Sequence, residues 1–541
     1  LISKEATQKF LNRQLDDFEW VKDLSPTRIN QVLEDVIPSH LSEGLWLHQK
    51  MMLLIMQHQP RFMLFSGMGS GKTRTVLTHL QVRKLRGEKP KAIVFVPYLT
   101  AVDTWIGEVD KFAPELVYCP LLGSSVENLN TIRTTDADLF PICYQTAVAM
   151  FTESVKVQVR VKGEFVTKTK WHFNPDLVDE VISNFDTLVC DEIHRCKDFK
   201  SQTFLLCSYI SQKVEWAYGM TGTPFGEDLQ SLWPEFYIID FGHTLGSTIS
   251  FYREIFFRKK SGFWGGFKYE FKKKLKNRLR TIIRNKSIHF ETNELVDIPD
   301  KQYIPIRIHP HGSVKGHIDK ALAELKAAVI DKDYQVVGSS FLTLRQISSG
   351  FVTFKSEDEE SKERLKIKFD HNPKLDALCG LIEDIPDDTK MVVFHEYIFS
   401  NEMISERLTK MKVGHARIWG GQKDPLGQLK KFREDKNCKV LVINSKSGSS
   451  ALNLQNASII VFYECPPVID RAQAEARCWR PGQTKRVQIY DFLVKNTLDE
   501  EYYDAVRQGG DLLKQFLTGK WRQNGKAGST TKYTGRTAPR T

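Results

Sequence analysis

Short apolar runs recur along the chain in two series, at 62–65, 92–96, 140–143, 187–190 and 216–220, then at 391–394, 440–443, 459–462 and 487–490. Each run is separated from the next by helix-length stretches of mixed polar and apolar residues. Continuous apolar runs bounded in this way are strands buried on both faces, as in parallel α/β sheets. The pattern predicts an α/β protein of two lobes, each a parallel sheet flanked by helices. The N-terminal lobe is expected over 1–245 and the C-terminal lobe over 306–518, with a basic helical insertion over 246–305 between them. The stretch 519–541, rich in Gly, Thr and Arg and without an apolar repeat, reads as a disordered basic tail. No internal repeat is present, so the chain is not a solenoid.

One segment breaks the alternation of strands and helices. Val155, Val157, Val159 and Val161 alternate with Lys156, Gln158, Arg160 and Lys162, and a turn at Gly163-Glu164 leads into 165–171. Period-two alternation about a glycine turn predicts a hairpin near 153–172. Its polar face is basic, which suits nucleic acid; the plainer reading is that edge lysines keep strands from pairing with other chains.

The 541 residues, 41% hydrophobic and 26% charged, are ordinary for a globular protein and long enough for more than one core. The most apolar stretch, 45–56, is interrupted by His48, Gln49 and Lys50, which excludes a membrane span. Residues 1–10 lack the basic-then-apolar pattern of a signal peptide, and a start at Leu1 reads as trimmed. Nine cysteines without a C-x-x-C pair fit reduced thiols, not a disulfide frame or a structural zinc. The expectation is a soluble intracellular protein, in the cytoplasm or nucleoid of a bacterium or its phage, or in a eukaryotic nucleus.

Net charge is +11, but its placement says more than its size. From Arg253 to Lys286 there are thirteen basic and two acidic residues, and the tail from Gly519 adds six basic residues, leaving −6 for the rest of the chain. Lys272, Lys273 and Lys274 sit at the centre of the first cluster, interleaved with aromatics such as Phe267 and Tyr269. Such a segment is the footprint of a polyanion, because releasing counterions condensed on phosphate drives binding. A solvated charged helix or a localisation signal is the bland alternative. The acidic run 357–360 reads as an exposed loop.

Three motifs carry chemistry. Ser66-Gly67-Met68-Gly69-Ser70-Gly71-Lys72-Thr73 lies between a strand and the amphipathic stretch 75–85. Strand, glycine loop and helix is the context of a phosphate-binding loop: Gly69 and Gly71 let backbone N–H groups approach phosphates, Ser70 lies between them, Lys72 reaches the β- and γ-phosphates, and Thr73 holds Mg²⁺. The strict pattern has Gly where Ser66 stands. Asp191-Glu192 follows the strand 187–190, at the end where nucleotide chemistry sits in open α/β sheets. There Asp191 is placed to bind Mg²⁺ and Glu192 to deprotonate the attacking water; an isolated Asp-Glu would otherwise be a helix N-terminal charge pair. Third, Arg477 and Arg480 are three apart and so are expected on one helix face, where guanidinium groups can neutralise a transferring phosphoryl. They lie far along the chain from Lys72, so lobe closure is needed to deliver them.

Taken in order from Leu45 to Val506, these and further motifs resemble the Swi/Snf-like branch of superfamily-two helicase-type ATPases, double-stranded DNA translocases. Leu47-His48-Gln49 resembles the adenine-sensing motif, which implies that Gln49 contacts the base. Met68 to Thr73 is similar to the family's Met-Gly-Leu-Gly-Lys-Thr, with Ser70 in the Leu position. Pro97 followed by Trp105, Glu108 and Lys111-Phe112 resembles the next motif, and Asp191 to His194 with Arg195, Lys197 and Ser201 the one after. Thr221-Gly222-Thr223-Pro224 is similar to the motif coupling ATP state to DNA grip. Phe263-Trp264-Gly265, Arg284-Asn285-Lys286 and Ile298-Pro299-Asp300-Lys301 resemble the insertion and brace between lobes. Ser445 to Leu454 resembles the DNA-facing motif, with Ser449 and Ala451 in place of glycines; in the last motif, which contains Gln483, Ala476 and Trp479 replace the usual Asp and His.

The resemblance implies two RecA-like lobes, ATP with Mg²⁺ as the nucleotide cofactor pair, and duplex or branched DNA as partner. It implies DNA contacts at Lys111, Lys446 and Ser447, and coupling through Thr221, Gly222, Thr223 and Gln483. Hydrolysis is then expected to move the protein along duplex DNA without separating strands, through phosphate contacts. A strand-separating helicase with the hairpin as wedge is the alternative within the enzyme class. A DNA-binding scaffold with a vestigial ATPase is the alternative outside it, and intact Lys72, Asp191, Glu192, Arg477 and Arg480 argue against it. A kinase leaves the Thr221 and Gln483 motifs unexplained.

Overall fold

In the computed structural model of the chain, the described residues are 3–67, 69–161, 164–222, 229–261, 267–290, 299–310, 312–331, 333–355, 364–420, 422, 424–448, 452–480 and 482–508. They divide into two compact units. The first is drawn chiefly from Leu1–Arg258 and Tyr269–Ile298, the second chiefly from Pro299–Ser449 and the described residues from Asn453 onward.

In the first unit the strands are β1 (Arg61–Ser66), β2 (Ala92–Val96), β3 (Leu139–Cys143), β4 (Thr152–Val161), β5 (Glu164–Phe173), β6 (Thr187–Asp191) and β7 (Trp216–Thr221). The basic segment holds β8 (Phe257–Ser261), β9 (Phe267–Phe271) and β10 (Ser287–Phe290), of which β10 lies wholly in the first unit. Six of these form one sheet in the order β10-β1-β7-β6-β2-β3, every pair parallel. Parallel neighbours need crossovers, and helices such as Lys72–Leu85, Leu99–Phe112 and Gln202–Ser211 supply them. Helices on both faces demand strands apolar on both faces, and β1 shows this directly. Phe62 and Leu64 pack in one buried cluster with Val94, Val189 and Tyr218, while Met63 and Phe65 pack in another with Ile93, Phe95 and Leu188. Each such side chain contributes roughly 1.5–3 kcal/mol on burial.

The second unit repeats the plan. Strands β11 (Lys301–Ile308), β12 (Phe351–Lys355), β13 (Arg364–Lys368), β14 (Lys390–His395), β15 (His415–Ile418), β16 (Val440–Asn444), β17 (Ala457–Phe462) and β18 (Val487–Val494) follow in the chain. A second six-stranded parallel sheet runs β11-β18-β17-β14-β16-β15. The α/β class and the two parallel sheets match the reading from apolar runs.

The basic segment differs from that reading. It is not wholly helical: between the helices Ile249–Phe256 and Lys276–Ile283 lie β8 and β9, which form a two-stranded sheet. Then β10 joins the first sheet beside β1, with Met63 opposite Ser287. Four residues are too few for a period to show in the sequence, yet Ile288 and Phe290 are buried and complete that sheet's edge. The first unit accordingly takes in described residues past 245, β10 among them. All nine cysteines are free thiols. Among the described residues no helix is long and apolar enough to cross a membrane. The tail 519–541, the acidic run 357–360 and Phe263, Trp264 and Gly265 lie outside the described residues.

Candidate active site

Parallel strands all end on the same side of a sheet, and β1, β7 and β6 are neighbours. Phe65 stands opposite Thr221, and Met220 opposite Asp191. The sheet therefore brings together, at its carboxyl edge, the glycine loop after β1, the acidic pair at the end of β6 and Thr221 at the end of β7. That edge is where ligands bind in open α/β sheets.

The loop is shaped by Gly69 and Gly71, both at φ +75°, a region that favours glycine. Gly71 caps the helix Lys72–Leu85, and a Cβ on it would collide with the Gln49 side-chain amide. Gln49 Nε2 donates to Ser70 O (3.3 Å) and Gly71 O (3.2 Å), its Oε1 accepts from Trp46 N (2.8 Å), and only 2% of the residue is exposed. His48 adds a 2.8 Å bond to Ser70 O. The residue expected to contact the base thus also buttresses the phosphate loop, and its neighbour His48, to which the sequence assigned no role, does the same. Lys72, 9% exposed, donates from Nζ to Ser66 O (2.7 Å) and Gly67 O (3.2 Å), bonds a phosphate can replace. Thr73 is half-buried in the first helical turn.

The acidic pair has unequal surroundings. Asp191 Oδ2 accepts from Trp105 Nε1 at 3.0 Å, and the Tyr144 hydroxyl donates to the Asp191 carbonyl at 3.1 Å. Burial, then the neighbouring Glu192 charge, push the Asp191 carboxyl up to about 6, against the pull of Trp105 and Lys72. Glu192 sits at φ +52°, which is costly for a residue with a Cβ and turns its carboxylate toward β7. Its Oε2 accepts from Thr221 Oγ1 (3.0 Å) and meets His194 Nδ1 (3.2 Å). Burial alone would raise the Glu192 carboxyl, but the bond and charge of His194, with Lys72 and Thr221, hold it down to about 2. The His194 imidazole is in turn raised: burial opposes its charge, and the bond and charge of Glu192, with the charge of Glu235, outweigh burial. Glu235, 1% exposed, completes this row; burial pushes its carboxyl up to about 8. So Glu192 is kept ionised, the form a base needs.

The residues present fit a nucleotide with a divalent cation. Among the described residues, Ser66 Oγ and Ser70 Oγ are buried without a hydrogen-bond partner, beside a buried ammonium, which suits a polyphosphate. Two adjacent carboxylates, one pushed up by burial and repulsion, suit a cation that relieves both. Thr73 and Asp191 offer the oxygen donors that Mg²⁺ takes.

In the second unit, the helix Val468–Cys478 is fixed by a buried ion network: Arg471 meets Glu475 (2.9 Å) and Asp491 (Nη2–Oδ2 2.9 Å), and Lys301 meets Glu475 (2.8 Å). Arg477 lies in its last turn. Arg480 does not share the helix face expected of it, because the helix ends at Cys478 with Trp479 as its cap. A residue before proline is pushed out of the helical region, and Pro481 follows Arg480. Trp479 Nε1 donates to Pro299 O (2.7 Å), and Gln483 Nε2 donates to Gln455 O (3.0 Å), Ala457 O (3.0 Å) and Cys478 O (3.1 Å), so Gln483 braces the loop that carries Arg480.

The candidate DNA residues are scattered. Lys273, Lys274 and Lys446 are exposed, as is Lys111, whose Nζ lies 4.7 Å from the Phe112 ring centroid. Lys272 is half-buried and donates to Glu254 O (2.8 Å) and Ile255 O (2.7 Å), closing the end of the helix Ile249–Phe256. Ser447 is in the short helix Ser445–Gly448, described in its backbone only. Gly222 follows β7; Thr223 lies outside the described residues.

Comparison with known proteins gives two family matches in order: an SNF2-related domain at residues 47–314 and a helicase conserved C-terminal domain at 373–482. Putative protein p41 of Acyrthosiphon pisum secondary endosymbiont phage 1 is 23% identical over 486 residues, 84% of this chain and 95% of that protein. The chromatin-remodeling ATPase INO80 of Vanderwaltozyma polyspora is 26% identical over 220 residues, 38% of this chain. The match spans only 14% of that protein's length. Among solved structures, the Sulfolobus solfataricus SWI2/SNF2 ATPase core in complex with dsDNA aligns at 18% identity and a TM-score of 0.37, covering 88% of this chain and 94% of that one.

Proposed function

The chain belongs to the SNF2-related, helicase-type ATPases, and from that premise we propose that it is a double-stranded DNA translocase, coupling ATP hydrolysis to movement along duplex or branched DNA. The observation that carries the reading is the hydrogen bond from Thr221 Oγ1 to Glu192 Oε2, 3.0 Å long. It joins the proposed hydrolytic base to the motif that, by resemblance, couples ATP state to DNA grip, so a change at one is felt at the other.

Lys72 and the N–H groups of the loop bind the β- and γ-phosphates, and Gln49 serves the base. Thr73 and Asp191 hold Mg²⁺, which supplies charge neutralisation across the phosphates. Trp105 keeps the Asp191 carboxylate aimed, while Glu192 takes the proton of the attacking water. Arg477 and Arg480 provide positive charge to the transferring phosphoryl when ATP and DNA are both bound. Exposed Lys273, Lys274, Lys111 and Lys446 meet DNA phosphates, so affinity falls steeply with salt and depends little on sequence.

Lys72→Ala is expected to lower ATP turnover at least 10²–10³-fold, the loss seen when one preorganised donor to developing charge is removed; steady-state phosphate release measures it. Translocation itself is tested by displacement of a third strand from a duplex, which should require ATP. Displacement from a triplex without opening of a forked duplex is the expected pair of results. Opening of the fork would make the protein a strand-separating helicase, and displacement of neither would remove the translocase reading.

A further inference from the structure

The short 3₁₀ helix Phe18–Asp23 is not used by any step above, and it precedes the SNF2-related match, which begins at residue 47. Its sequence explains where it sits. Asp17 starts it, with Oδ1 accepting from Glu19 N (2.9 Å). At three residues per turn, side chains three apart eclipse. Phe18 and Val21 therefore face the same way, inward: Val21 is buried, and the Phe18 ring meets that of Phe62 in β1 edge-on at 5.3 Å. Glu19 and Lys22 are paired likewise, Oε2 to Nζ at 3.0 Å. The helix is thus pinned to the first sheet, with the Lys22 ammonium held beside it.

What the ammonium meets is the end of β10. Lys22 Nζ donates to His289 O and lies 4.7 Å from the Phe290 ring centroid. Among the described strands, β10 is at the edge of its sheet, with β1 as its neighbour. Successive carbonyls of a strand point to opposite sides, and Phe290 O accepts from Gly67 N on the β1 side at 3.1 Å. His289 O therefore faces the open edge, where polar groups lack a ladder partner, and Lys22 brings it a charged donor. Gly67 belongs to the phosphate loop. Its N–H is bonded to β10, and its carbonyl accepts from Lys72 Nζ at 3.2 Å. Phe290 reaches the loop by a second route: its ring centroid lies 5.8 Å from that of His48, whose Nε2 is bonded to Ser70 O. Both routes from Lys22 to the loop pass through Phe290.

We propose that Lys22 is a positioning residue for the nucleotide site: it fixes the end of β10, and β10 holds Gly67 in the shape that receives the phosphates. The inference rests on the reading of that loop as the nucleotide site. Phosphate binding asks Lys72 to leave Ser66 O and Gly67 O, and the loop then keeps its shape through the bond that Gly67 still makes to Phe290. A loop already held costs less to order when the nucleotide arrives. Among the described residues, the contacts of Lys22 are with Glu19, His289 and Phe290, away from β6 and β7, which end at Asp191 and Thr221. Loss of the ammonium therefore falls on binding and spares the hydrolytic step. A lysine that merely satisfied an edge carbonyl would change stability and leave nucleotide affinity alone.

The test compares the full chain with Lys22→Met, which keeps the apolar stem on Phe290 and removes the ammonium. Affinity for a fluorescent ATP analogue should fall about 3–10-fold, the worth of one net hydrogen bond, and KM for ATP should rise in step while kcat stays within about twofold. Hydrogen exchange at the Gly67 amide should quicken. Lys22→Arg should restore affinity, and Lys22→Gln, which keeps a neutral donor, should fall between. Joined to Phe290→Leu, Lys22→Met should cost no more than the larger of the two single losses, because both act through the end of β10. If Lys22→Met keeps the parental affinity, KM and Gly67 exchange, or lowers the melting temperature without moving KM, Lys22 is an edge contact only and the proposal falls. If the parent binds no ATP analogue, or Lys72→Ala binds it as the parent does, the reading of the nucleotide site itself fails.

Discussion

Glu192→Gln is expected to bind ATP as tightly as the parent and to hydrolyse it about 10²–10⁴-fold more slowly, the range a positioned general base contributes. The substitution is isosteric and can keep the 3.0 Å bond from Thr221, so the strained turn at φ +52° should survive. What it removes is the negative charge that His194 and Lys72 hold in place. Nucleotide affinity is expected to reside instead in the loop, Lys72 and Asp191. Binding measured with a fluorescent ATP analogue, beside single-turnover hydrolysis, separates the two. Turnover at the parental rate would take the base assignment away from Glu192.

Arg480→Ala is expected to lower DNA-stimulated turnover by about 10³–10⁵, the range in which a phosphoryl-facing guanidinium acts, while leaving duplex affinity unchanged. Trp479 and Gln483 anchor the loop that carries Arg480 through bonds to Pro299, Gln455, Ala457 and Cys478, none of which involves the Arg480 side chain. Truncation at Cβ should leave the loop standing. A variant with its stimulated rate within a few-fold of the parent would show that no phosphoryl charge is met by Arg480.

The strands and the phosphate loop were legible because each is a local pattern: an apolar run, or glycines at fixed offsets from a lysine. Asp191-Glu192 was legible for the same reason, as an acidic pair at the end of a run. What stayed hidden depends on sheet order. Trp105 reaches Asp191 because β2 and β6 are neighbours, which no run of residues states. His194 and Thr221 meet on Glu192 because β7 lies beside β6. Lys272 looked like one more cation in a basic segment, yet its ammonium donates to Glu254 O and Ile255 O at the end of a helix. The β4–β5 hairpin shows the limit most plainly. Alternation along β4 was visible, but which position of β5 stands opposite each position of β4 is set by register, which no local pattern states.

Linkage between the motif proposed to couple ATP state to DNA grip and the proposed hydrolytic base is the claim on which the functional account stands, and ATP turnover with and without duplex DNA measures it most directly. At saturating ATP and low salt, added duplex is predicted to raise turnover severalfold or more in the parent chain and to leave Thr221→Val, which lacks the hydroxyl bonded to Glu192, close to its DNA-free rate. Equal turnover by the parent with and without duplex would contradict the account.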